Sequence, residues 1–435
     1  MEWYFAMLIL VGSIAGFIVI GMPVALAFLT ANIIGTLIFM PNILGMLQIV
    51  ENSTDLVTKF TLAPVPLFIL MGGLFFHTGL AKIVFDALDR LLGAIPGRLS
   101  FLAVGGGTVF AALTGSSLAN AAMLGSLLIP EMERRRYKPH MAIGPILGVG
   151  GLAIIIPPSA IAVLLAGIAN VDVGKLLIAG LAPGLVLAGL FACVIAIQLW
   201  RDPDAAPRYD MPPVPLSTKL RLLFVDTMPI FIIIAMVIGL IVFGIATPTE
   251  SAAFGVLGVL IAAALFRRLS FGALAQALRG TVLVGGMVFF IVMGSAVFSQ
   301  LLAFSGASRG FLLWATALSL DPVVLLALII VIYLILGTFM DQVSVMLITV
   351  PIFFPLASAL GFDLIWFAVL TLIATEIGLI TPPFGLLLFV LKGQAPNASF
   401  GQVIRAGLPF LVCNLILLGL LIAFPGLALT LPSLI

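Results

Sequence analysis

Apolar runs of about 20 residues recur along this chain, and that is the length a helix needs to cross a bilayer. WYFAMLILVGSIAGFIVI (3–20) is one, and FIIIAMVIGLIVFGI (231–245) and VLLALIIVIYLIL (324–336) form the centres of two others. Only 8% of the 435 residues are charged and 63% are hydrophobic, whereas a soluble domain carries about 25% charged residues. In hydrocarbon every backbone N–H and C=O must be satisfied within the protein, which leaves helices or closed barrels. Runs of this length select helices, so the chain reads as an all-α polytopic membrane protein with the lipid bilayer as its solvent. The opening stretch, MEWYFAMLILVGSIAGF, lacks the basic start and small-residue cleavage site of a signal peptide and is expected to open the first span. The longest polar stretch, 201–226, reads as a Pro-rich linker too short to fold alone.

Several chemistries drop out. Cys193 and Cys413 lie singly in apolar runs, which is no disulfide or metal framework. His77 and His140 form no metal-binding cluster, and Gly174–Lys175 lacks the upstream P-loop glycine, Ala169 standing there. A net charge of +2 offers no footprint for nucleic acid. With no catalytic dyad visible, an enzyme is not expected.

The chain looks duplicated, a common feature of transporters. Pro23 is matched by Pro248 at an offset of 225, and Pro157–Pro158 in AIIIPPSA by Pro382–Pro383 in LITPPFG at the same offset. Gly72 in FILMGG is matched by Gly294 in FIVMGS at an offset of 222, and Gly115–Ser116 in ALTGSSLAN by Gly337–Thr338 in LILGTFMDQ likewise. Ala179–Gly180–Leu181 returns at 406–408, an offset of 227. The expected division is a first repeat at 1–200, a cytoplasmic linker at 201–226 and a second repeat at 227–435.

Short cytoplasmic loops collect Lys and Arg. Placing 82–98, 134–138, 201–221, 267–279 and 392–405 in the cytoplasm puts 16 of the 19 basic residues there and leaves Lys59, Lys175 and Arg309 outside. That arrangement needs about 10 crossings in all, five per half; an odd number inverts the second repeat and puts both termini outside. Residues 99–133 do not fit a crossing, because basic groups flank both ends. Two arms of about 17 residues, each reaching roughly 25 Å, describe a re-entrant hairpin with TGSS at its tip. Its counterpart at about 322–359 has GTFMD at the tip.

Each half thereby offers a hairpin tip (Thr114–Ser117; Gly337–Asp341) and a proline-broken helix (Ile156–Pro158; Ile380–Pro383). Such backbone survives at membrane depth only when buried in protein or lining a polar cavity. Proline leaves carbonyl oxygens without helical partners; with Ser or Thr hydroxyls these suit a small cation such as Na⁺, while half-helix N-termini suit an anion. Other readings stay open: the prolines as kinks, Ser116 and Ser117 bonded to their own helix carbonyls, and Asp341 and Glu376 paired structurally rather than functional. Glu250 is read as a helix-start acid or a site residue, and Arg134–Arg136 as topology determinants or substrate contacts. Segments 82–99 and 266–280 read as interfacial amphipathic helices.

These motifs resemble the large membrane subunit of the tripartite ATP-independent periplasmic (TRAP) transporters: GSSLANAAMLGSLLIPEM (115–132), ATPTESAA (246–253), GTFMD (337–341) and EIGLITPPFGLLLFV (376–390). Leu387 departs from the family's usual Asn, and Gln342 from the Pro that often follows the Asp. The resemblance implies an elevator-type secondary transporter of the bacterial or archaeal inner membrane that imports an organic acid with Na⁺. Its partners would be a separate small four-helix membrane subunit and a periplasmic substrate-binding protein. Carried over, one Na⁺ site falls at Ser116, Ser117, Ile156 and Pro157, and a second at Gly337, Thr338, Met340, Ile380 and Thr381. Thr114, Gly115, Pro158, Asp341, Pro382, Pro383 and Glu376 would bind substrate or shape the tips. A stand-alone Na⁺- or H⁺-coupled anion symporter is the alternative, and a channel the more distant one.

Overall fold

The computed structural model describes residues 2–40, 62–93, 95–207 and 215–434, with isolated positions between 45 and 58. The described residues form helices and connections, with no strand among them. In chain order the first half contains α1 (Trp3–Val19), α2 (Val24–Phe39), α3 (Pro64–His77), α4 (Leu80–Leu92), α5 (Arg98–Thr114) and α6 (Ser117–Arg134). It continues through α7 (Pro139–Gly150), α8 (Leu152–Ile155), α9 (Ala160–Ala169), α10 (Val173–Ala179) and α11 (Leu181–Arg201). Then follow α12 (Leu216–Arg221), α13 (Met228–Val242), α14 (Pro248–Leu265), α15 (Phe271–Phe304), α16 (Ala307–Ala317) and α17 (Pro322–Phe339). The chain closes with α18 (Gln342–Ala359), α19 (Leu364–Ile380), α20 (Leu386–Gln394), α21 (Phe400–Ala423) and α22 (Gly426–Leu429). Among the described residues seven helices are long and apolar enough to cross a membrane, or nine if two bent pairs each count as one span. Shorter apolar helices, α1 and α2 among them, join this set.

Two packed groups organise the helices. In one, α3 lies between α14 and α15, with α2 on α15 and α13 on α14. In the other, α7 packs on α5, α6 and α21, while α19 packs on α17, α18 and α21. The chain breaks where Pro and Gly stand. Helices α5 and α6 pack together and are separated by Gly115 and Ser116; Gly115 takes φ +58°, and a Cβ there would stand 2.9 Å from the Ala160 amide nitrogen. Only glycine combines that left-handed backbone with so close an approach. Between α17 and α18, the extended Met340 precedes Asp341, which caps α18 by accepting from the amides of Val343 and Ser344. Ile156 and Thr381 are both extended and end their helices ahead of Pro157–Pro158 and Pro382–Pro383, whose peptide bonds are cis in both cases.

Two segments differ from the sequence expectation. Residues 271–280, expected in a separate interfacial helix, are the first turns of the continuous 34-residue α15. No proline interrupts 271–304, and a helix of that length spans about 51 Å, well beyond the roughly 30 Å of hydrocarbon. The linker expected at 201–226 is helical from Leu216 onward, running through a π turn at Leu222–Thr227 into α13.

The amphipathic α4 leaves α3 at a bend of 65° and buries Val84 and Phe85 while Lys82, Asp86 and Arg90 stay exposed. Arg98, at the start of α5, is 2% exposed. Its guanidinium forms a fork with the Asp89 carboxylate (2.9 and 3.0 Å) and donates to the Gly93 carbonyl at 3.0 Å. This latch ties α4 to the first hairpin. Removing one partner of a buried pair leaves the other charge uncompensated, so Arg98→Met should cost about 3–5 kcal/mol, and adding Asp89→Leu should return part of that loss. A melting temperature in detergent unchanged by Arg98→Met would remove the latch from the account.

Candidate functional site

Glu376 sits in the last turns of α19, a short step before Pro382, and is fully buried. Its Oε2 accepts from the Ser117 hydroxyl at 2.7 Å and from the Gln342 side-chain amide. Gln342 Nε2 also lies 3.3 Å from Ser117 Oγ, so the three groups are mutually bonded. Ser117 is the first residue of α6 and Gln342 the first of α18, each placed immediately after a hairpin break. The carboxylate therefore joins the tips of two hairpins whose contacting side chains are separated by 225 in the numbering.

Space for it comes from Gly151, which stands before Pro157 at the same spacing as Glu376 before Pro382. A Cβ on Gly151 would stand 2.6 Å from Glu376 Cγ and 2.7 Å from Oε1. One of these two matching positions holds the carboxylate and the other holds nothing but backbone. Next to Ser117 on α6, Asn120 is fully buried and donates to the Val149 carbonyl at 3.0 Å, which pins α6 to the end of α7.

The remaining candidates cluster around these tips. Gly115 packs against the start of α9, just beyond the first proline break. Gly337 lies against Gly378 of α19, and the Phe339 and Phe384 rings, 5.2 Å apart, bring the second tip to the second proline break. The hydroxyls of Thr338 and Thr381 donate to the carbonyls of Ile335 and Ile377, leaving their oxygen lone pairs available. Ser116 caps α6 through its extended backbone without a side-chain bond and lines a cavity. Asp341 is committed to its own helix start, by two amides and the Ser344 hydroxyl, and does not meet Glu376. The Thr114 side chain lies outside the described residues. Glu250 forms a capping box with Thr247, the helix-start role.

Two residues at the centre escape a residue-by-residue reading. Gln342 shows only as a break in a motif, and Gly151 as an unremarked glycine. For Gly151 the offset of the proline breaks was the available signal, because 151 plus 225 is 376; the tip motif recurs at 222, so it points Ser117 to Phe339 and not to Gln342.

Two cavities lie between these helices, one of them reaching the first tip at Ser116. One of about 610 Å³ is lined by Gly73, His77, Ser116, Ser126, Thr281 and Gln394, between α3, α6 and α15. The other, of about 390 Å³, is lined by Ala169, Ser295, Ser299 and Pro351 among others, between α9, α15 and α18. Gly73 and His77 match Ser295 and Ser299 at the offset of 222; Ser126 matches Pro351, and Ala169 matches Gln394, at the offset of 225. Matching positions thus line both.

Paired helix breaks, polar tips and a cavity at the first tip, in an apolar chain whose described residues form membrane-length helices, define a membrane transport protein. The chain belongs to the family described as "Tripartite ATP-independent periplasmic transporter, DctM component", which it matches over residues 11–427. This is a transporter subunit family, not an enzyme family. The chain is 33% identical to the C4-dicarboxylate TRAP transporter large permease protein DctM of Pseudomonas aeruginosa over 91% of each chain. It is 31% identical to the 2,3-diketo-L-gulonate TRAP transporter large permease protein YiaN of Escherichia coli over 96% of each. With the sialic acid TRAP transporter large permease protein SiaM of Vibrio cholerae it shares 30% identity, covering 98% of this chain and 99% of that one. The fold is similar to that of the Alcanivorax borkumensis YdaH transporter, with a TM-score of 0.65 at 16% identity over 89% of this chain and 90% of that one.

Overpacking a filled site costs about 1–3 kcal/mol, so Gly151→Ala should lower the melting temperature, whereas Gly419→Ala, which meets nothing within 4 Å, should not. Glu376→Ala should destabilise as well, by about 1–3 kcal/mol for each donor left unpaired. Equal melting temperatures for the two glycine variants would show that Glu376 does not occupy the space beside Gly151.

Proposed function

We propose that this chain is the translocating subunit of a Na⁺-coupled importer of an organic acid. A periplasmic binding protein delivers the substrate, and a small membrane subunit completes the complex in the inner membrane. The relatives named above carry C4-dicarboxylates, a diketo-gulonate and sialic acid, all of them carboxylates. The reading rests above all on two cavities lined by matching positions of the two halves. An inverted repeat offers a natural route to such a pair, because it builds the same vestibule once toward each side of the membrane. Alternating access then follows from moving the hairpin group against the group built on α3, α14 and α15, an elevator motion.

The first Na⁺ is held by the Ser116 and Ser117 hydroxyls with backbone oxygens at Ile156 and Pro157. The second is held by Thr338 and Thr381 with backbone oxygens of Gly337, Met340 and Ile380. Both sites draw on carbonyls released by helix breaks and on hydroxyl lone pairs, a hard-oxygen shell. The substrate carboxylate lies between the tips, near the N-terminus of α6, which has no side-chain cap and whose first amides favour an anion. Both chain termini face the periplasm.

In proteoliposomes Thr338→Ala or Thr381→Ala should raise the Na⁺ concentration for half-maximal uptake, and an unchanged sodium dependence would count against the second site. A single cysteine at Arg135 should label only from the cytoplasm. Labelling from the periplasm would reverse the assigned orientation, and full-rate uptake without a binding protein would favour a stand-alone symporter.

A further inference from the structure

We infer that Glu376 is a positioning residue that couples the two cation sites, so that the state of one hairpin tip is felt at the other. The inference rests on the two-site sodium reading above and adds how the sites communicate.

A serine hydroxyl has one proton to donate and two lone pairs to offer. Ser117 donates its proton to Glu376 Oε2 and receives Gln342 Nε2 at 3.3 Å. That leaves a single lone pair for a cation, with its direction set by groups that belong to the other half of the chain. Gln342 opens the second arm of the second hairpin, and Glu376 lies little more than one helical turn before Thr381, the residue that ends α19. A ligand of the first site is therefore oriented by the second hairpin and by the helix that carries the second site. If the second tip opens and Gln342 withdraws, Ser117 loses one of the two bonds that aim it, and the first site weakens. By linkage the reverse holds, since coupling between two binding sites is reciprocal.

The shared carboxylate suits this task because it is single. Glu376 and Gly151 occupy matching positions, and the side chain at 376 fills the space that a side chain at 151 would need. One acceptor oxygen holds a donor from each tip, so the loss of either donor leaves Glu376 Oε2 with a single bond. All three side chains are buried, Ser117 and Glu376 at 0% and Gln342 at 4% exposure, so water does not substitute for a lost partner.

Equilibrium binding of ²²Na⁺ to the purified full chain in detergent tests the coupling without needing the transported acid. The wild type should bind cooperatively, with a Hill coefficient approaching the limit set by two sites. Gln342→Leu, or Gln342→Met should the first fold poorly, keeps the bulk and removes the donor; its Hill coefficient should fall to about one while saturable binding persists. The exchange Gly151→Glu with Glu376→Gly moves the carboxylate to the matching position and should restore cooperativity, which Glu376→Gly alone should not. A merely structural role would lower the amount of folded protein without changing the shape of the isotherm. No saturable Na⁺ binding by the wild type would overturn the sodium reading itself. Saturable but non-cooperative wild-type binding, or Gln342 variants as cooperative as wild type, would overturn the coupling and leave the sodium reading standing.

Discussion

A backbone group that leaves its helix inside a membrane must find another partner within the protein, and this requirement shapes the whole fold. An unsatisfied N–H or C=O in hydrocarbon costs several kcal/mol. Among the described residues the chain nevertheless breaks in apolar surroundings at Gly115–Ser116, Ile156–Pro158, Met340–Asp341 and Thr381–Gly385. The breaks meet in pairs: the first tip lies on the start of α9, and the second reaches the Pro382–Pro383 turn through Phe339 and Phe384. The helices outside this centre are those expected of any membrane bundle.

The price of this arrangement is a buried acid. Glu376 is a demanding residue to place where nothing is exposed, and a hydroxyl and an amide from two hairpins meet its Oε2. Hydrogen bonds to a carboxylate are stronger than those between neutral groups, so the junction between the tips is firm while formed and costly to leave half made. This is the behaviour wanted of a joint that either holds or lets go. Asp341 shows the contrast: its oxygens are used within its own turn, so it shapes one tip and bridges nothing.

Most of the architecture was legible because it is written in local chemistry. Apolar runs mark helices; Gly115 and Asp341 mark tips because one tolerates φ +58° and the other caps a helix. Where local pattern and structure part, the cause is again physical. The basic, amphipathic look of 266–280 resembles an interfacial helix, but nothing in 271–304 stops the helix from continuing, and α15 runs straight through. Leu216 onward looked like linker because its neighbours are prolines, yet it holds a helical turn that feeds α13.

The sequence alone determined that the chain lives in a bilayer, where its helices break and that its motifs recur in the same order, since each follows from composition, proline and glycine chemistry, or a nearly constant offset. Tertiary structure alone decided what Glu376 meets. Its partners lie 259 residues before it in one hairpin and 34 before it in the other, and no local rule ranks Ser117 over Asp341 as the group that reaches it. That choice comes from packing: Gly151 opens the space, and the hairpins bring Ser117 and Gln342 to the same oxygen.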